Sequence, residues 1–109
     1  MFVQIAGPSI IIVIIRHRFG GTMEKLSEFM NIEIYMHYNK YMPPFVIARY
    51  GAMRALITVK DIEFVSGNVP NKQIKIAMGW VALHQSELLE AWNMTVAGLA
   101  LPMIEPLRG

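Results

Sequence analysis

Residues Ile62–Val81 read IEFVSGNVPNKQIKIAMGWV, and the spacing of apolar side chains changes within them. Ile62–Ser66 (IEFVS) is short and rich in β-formers, as a strand requires. Gly67–Asn71 (GNVPN) interrupts it with residues that end a ladder and open a helix, with Asn71 placed to cap. Beyond it Ile74, Ala77, Met78, Val81, Leu88, Trp92 and Val96 recur at three- and four-residue steps. That is helical spacing. A sheet therefore comes first and helices last.

Upstream, Ile32–Tyr38 (IEIYMHY) alternates and reads as a strand. Asn39–Pro44 (NKYMPP) is a turn closed by prolines that cannot donate to a ladder. Phe45–Tyr50 (FVIARY) is a second strand, and Gly51-Ala52 turns the chain. Arg54–Val59 (RALITV) is a third strand, joined to Ile62–Ser66 through Lys60-Asp61 at hairpin length. Glu24–Phe29 shows only a mixed pattern. His84–Ser86 is a joint between two helical stretches, Ser86 caps the second, Gly98 stops it, and Leu99–Gly109 runs extended. The expected fold class is α+β: a small antiparallel β-meander of about four strands packed against one or two C-terminal helices.

Residues 1–22 form an N-terminal extension, and 23–109 a single domain that begins at Met23. Ile10–Ile15 is an apolar, β-branched run that would add a fifth strand. Its charges, Arg16 and Arg18, follow the apolar stretch, the wrong order for a signal peptide. The run is also too short to span a membrane, and a membrane-surface anchor is the alternative reading.

Composition narrows the chemistry. Hydrophobic residues make up 54% of the 109 and charged residues 17%, against roughly 25% charged in an average domain. Some apolar side chains must then stay exposed, which points to a partner. The nine methionines suit adaptable contact surfaces. The absence of cysteine excludes disulfides, thiolate metal sites and cysteine nucleophiles, and it fits a cytoplasmic setting. A net charge of +2 is too small to argue for nucleic acid.

Three stretches, Ile34–Gly51 (IYMHYNKYMPPFVIARYG), Trp80–Trp92 (WVALHQSELLEAW) and Ile104–Leu107 (IEPL), resemble a bacterial family of short proteins known only as a domain of unknown function. The resemblance covers residues 23–109. It implies a setting in small operons of toxin–antitoxin type. Family members carry histidines at the positions of Tyr41, Phe45 and Ile47 and an acid at that of Ala52. Here all four are apolar or aromatic, so the metal or acid–base chemistry those groups could support has lost its donors. The residues now standing there and beside them, Tyr41, Met42, Phe45, Val46, Ile47, Ala52 and Met53, are the candidate interface, whether by divergence or by redesign.

Other candidates have bland readings. His84 reads as a packing or capping residue, His37 as a surface residue on a strand, and Glu87 with Glu90 as a solvated face. Trp80 and Trp92 read as core anchors. No phosphate loop, zinc spacing or nucleophile elbow occurs, so no catalytic residue, metal or cofactor is assigned. The expected function is a non-catalytic interaction protein, most simply a homo-oligomer, with a small protein partner as the variant. The alternatives are a toxin–antitoxin-type component binding RNA or a cognate partner, with Arg49 and Arg54 as the nucleic-acid contacts, and an enzyme with a degenerate site.

Overall fold

The computed structural model describes residues 24–107. The expected Ile10–Ile15 strand and the proposed domain start at Met23 lie outside them. The described chain runs β1 (Glu24–Phe29), β2 (Ile32–Met36), β3 (Phe45–Tyr50), β4 (Met53–Thr58), β5 (Phe64–Gly67), α1 (Asn71–Leu83) and α2 (Gln85–Val96). The strands form one antiparallel sheet in the order β1-β2-β3-β4-β5. The α+β meander read from the sequence is the observed fold, with its fifth described strand at Glu24–Phe29.

Alternation sets the two faces of the sheet. In β2, Ile32, Ile34 and Met36 are buried while Glu33 and Tyr35 are half-exposed. Ile34 pairs with Ala48, and Ala48 with Ala55, so one face continues through β3 and β4. It meets Ala77, Trp80, Val81, Leu88, Ala91 and Trp92 of the helices in the main core. Trp80 is fully buried, its ring 5.5 Å from Phe29. Its indole N–H donates to the Glu105 carbonyl at 2.9 Å, as a buried indole must to avoid losing a hydrogen bond to water.

The same tail holds the β1 edge. β1 carries a bulge between Lys25 and Ser27, and the Leu26 carbonyl accepts the Ile104 N–H at 2.8 Å. Ile104 is itself buried. Among the described residues the tail contains no helix or strand, and at Ile104 it covers what would otherwise be an open edge.

The helix ends differ in part from expectation. Pro70 takes the N-cap position of α1 with no side-chain cap bond, and Asn71 is the first helical residue. Ser86 lies inside α2, behind His84. At the far end Gly98 is left-handed (φ 77°). Its N–H donates to Thr95 and that of Leu99 to Met94, a Schellman closure. β5 starts two residues later than the pattern suggested, because Ile62 adopts φ 53° and belongs to the turn.

Gly67 closes the sheet where no other residue fits. Its φ is 133°, and a Cβ there would lie 2.2 Å from the Arg54 carbonyl oxygen. Gly67→Ala should lower the stability of the fold by roughly 2–4 kcal/mol, read as a fall in the urea midpoint. A midpoint equal to wild type would show that β5 does not pair as described.

Candidate functional site

The face of the sheet turned away from the main core carries two rows of side chains. One row runs Glu28, Glu33, Arg49, Arg54 across β1 to β4, each directly opposite the next. The neighbouring row runs Lys25, Tyr35, Ile47, Leu56, Ser66 across all five strands. Opposed residues on adjacent strands point to the same side.

Ion pairs confirm that side for the charged row. Lys25 Nζ lies 2.7 Å from Glu28 Oε1 and 3.4 Å from Glu33 Oε2. Arg49 Nε lies 3.5 Å from Glu33 Oε1 and also donates to the Gly51 carbonyl at 3.3 Å. The Tyr35 hydroxyl donates to Glu33 Oε1 at 3.2 Å. Glu33 is thus the hub. Loss of solvation pushes its pKa up, but the hydrogen bonds from Lys25 and Tyr35 and the charges of Lys25 and Arg49 outweigh that and hold it below the ordinary carboxylate value. Lys25 moves above its ordinary value, chiefly through its hydrogen bond to Glu28.

Arg54 differs. It stands opposite Arg49, a like-charge pair that costs energy in a sheet. Its side chain has no ion-pair partner among the described residues. Sequence reasoning picked Arg49 and Arg54 as nucleic-acid contacts. The register does bring them together, but it sets Glu33 and Glu28 in the same row.

The seven expected interface residues do not form one patch. Tyr41 is 84% exposed on the β2–β3 loop, where its N–H donates to Asn39 Oδ1 and Lys40 Nζ sits 5.2 Å from its ring. Ala52 is exposed in the β3–β4 turn. The six residues of β3 separate these two by roughly 20 Å. Phe45 and Val46 are corrections: both are buried, at 3% and 0% exposure. Val46 points into the core, opposite Ile57, and Phe45 packs edge-on against Trp92 and His37. Met42 packs against the main core, and Met53 against the small cluster of Ala55, Val69 and Ile74. Of the seven, Ile47 alone stands in the two rows, and like Met42 it also packs against the main core. Glu28, Glu33, Tyr35 and Leu56 of those rows were missed. The signal for Glu33 and Tyr35 was present, since they fill the gaps between Ile32, Ile34 and Met36.

The histidines are also placed. His84 Nδ1 lies 2.6 Å from Glu87 Oε1, and its ring 5.0 Å from that of Trp80. The pair sits at the helix joint, beside Gln85, whose amide donates to the carbonyls of Val59 and Lys60. His84 thus pairs with Glu87, the nearer in sequence of the two glutamates. His37 Nδ1 is buried without a hydrogen-bond partner. Among the described residues no three His, Asp or Glu side chains gather as a metal site would need, and no helix is long and apolar enough to cross a membrane.

Because Glu33 has the lower pKa when folded, its contribution to stability is complete above the unfolded value near 4.5. It is lost as pH falls through the depressed folded value. Glu33→Gln should therefore show a shallower fall in melting temperature between pH 6 and pH 3 than wild type. Parallel curves would contradict the hub role of Glu33.

The model of the family described as a domain of unknown function (DUF4160) matches residues 31–93. That span holds β2 through most of α2, and so most of both rows. It exceeds half of the 109 residues, and the chain belongs to this family. No curated protein and no solved structure matches the chain.

Proposed function

We propose that this member of the DUF4160 family is a non-catalytic interaction protein that self-associates through the face bearing Tyr35, Ile47 and Leu56. One observation carries the reading: the row of Tyr35, Ile47 and Leu56 stays half-exposed beside a charged row, even though Ile47 and Leu56 also touch the main core. Half-exposed Ile and Leu gain from removal from water, about 25 cal/mol per Å² of apolar area buried. The charged neighbours supply register and specificity rather than net affinity. A homo-oligomer needs no second gene product, because one surface can serve both sides.

The polar groups on this face do not support catalysis by position. Glu33 accepts hydrogen bonds from Lys25 and Tyr35 and is ion-paired with Arg49, which holds it ionised and occupied. The His84–Glu87 pair lies at the helix joint, apart from this face.

The test is molar mass in solution by sedimentation equilibrium, comparing the chain with Ile47→Asp. Wild type should exceed the mass of one chain at high concentration, and Ile47→Asp should remain at one, with its circular dichroism unchanged. An Ile47→Asp chain that associates as wild type does would exclude this face as the contact.

A further inference from the structure

We propose that the open face stacks on the same face of a second copy, about a twofold axis lying between the two sheets, parallel to the strands and midway between β2 and β3. This arrangement rests on the reading of that face as the contact surface. It follows from the order of charges. Across the sheet the row reads negative, negative, positive, positive: Glu28, Glu33, Arg49, Arg54.

Two sheets stacked face to face by a twofold rotation must have the axis in the plane between them. An axis running across the strands keeps their order. Glutamates then face glutamates and arginines face arginines, which opposes association. An axis along the strands reverses the order, so that β1 lies over β4 and β2 over β3. Arg54 then meets Glu28 of the partner subunit, and Arg49 meets Glu33 of the partner subunit, with each contact made twice. The neighbouring row is carried along. Tyr35 faces Ile47 of the partner subunit, and the Lys25 stem faces Leu56 of the partner subunit. Aligned packing of two sheets of this kind is an ordinary sandwich geometry.

The pattern also selects a second copy over a polyanion. Lys25 and Arg49 already hold carboxylates, so among the cations of these rows Arg54 alone stands without a counter-ion. A phosphate backbone laid across the row would meet Glu28 and Glu33 as well. A second copy presents the complementary series at the same spacing, and it supplies a carboxylate to Arg54, relieving the Arg49–Arg54 opposition.

Four strands spaced about 4.8 Å apart, with six residues of about 3.3 Å each, give a footprint roughly 20 Å on a side. That is about 400 Å² per copy, below the range of stable interfaces and in that of weak, transient ones, so the dimer should dissociate on dilution.

The experiment uses two charge reversals of the full chain, Glu28→Arg and Arg54→Glu, studied alone and mixed in equal amounts by sedimentation equilibrium. Each variant alone places like charges at two facing positions and should dimerise at least roughly tenfold more weakly than wild type. In the mixed dimer every facing pair is opposite in sign, so mixing should restore association, and that recovery also shows both variants to be folded. If the single variants associate like wild type while Ile47→Asp stays monomeric, the axis is wrong and the contact face stands. A wild-type chain that keeps the mass of one chain at every concentration removes both. RNA retained at low salt and lost in Arg54→Ala, without self-association, overturns the proposal in favour of a nucleic-acid surface.

Discussion

The in-register pairing of β2, β3 and β4, with Ile34 opposite Ala48 and Ala48 opposite Ala55, is the constraint on which both faces of the sheet depend. Side chains alternate along a strand, so a slip of one residue would exchange the faces. Ile32, Ile34, Val46 and Ile57 would turn to water, and Glu33 and Arg49 would enter the core beside Trp80. The cost of unpaired buried charge forbids that. The same register that buries the isoleucines lines up Glu33, Arg49 and Arg54 on the other side.

Much of the fold was legible because β2 and β3 are regular. IEIYM alternates cleanly, FVIARY spans the observed strand, and the change to helical spacing falls at the observed junction. The unread parts have local causes. β1 carries a bulge that places Leu26 and Ser27 both inside. Its apolar residues, Leu26 and Phe29, are then three apart and show no alternation. Ile62 takes a left-handed conformation that β-branched residues rarely adopt, so an apolar residue sits in a turn and shifts the start of β5.

The candidate site was read less well, for a related reason. Resemblance picked positions along the chain, and a surface is made of positions across strands. Tyr41, Phe45, Ile47 and Ala52 lie near one another in sequence, yet Tyr41 falls in a loop and Ala52 in a turn, while Phe45 at the start of β3 is buried against Trp92 and Ile47 farther along is half-exposed. Arg49 and Arg54, named together as nucleic-acid contacts, stand opposite each other because the short β3–β4 turn sets them so. Their neighbours Glu28 and Glu33 come from strands whose register only the folded sheet supplies. The tail motif Ile104–Leu107 serves the fold itself, through Ile104 on the bulge carbonyl and Glu105 on the Trp80 indole.

The rows make this sheet a two-sided element. One side is anchored by Trp80 and Trp92, and the other carries opposed charge halves, which the proposed self-association would use. The chain has no cysteine, so introduced thiols would have no competitors. The most direct test joins Glu28→Cys chains to Arg54→Cys chains with a short bis-maleimide reagent at equal concentrations. The account predicts a cross-linked dimer in the mixture well above that in either variant alone, since residue 28 of one copy lies across from residue 54 of the other. No dimer in the mixture, or equal yields from each variant alone, would contradict it.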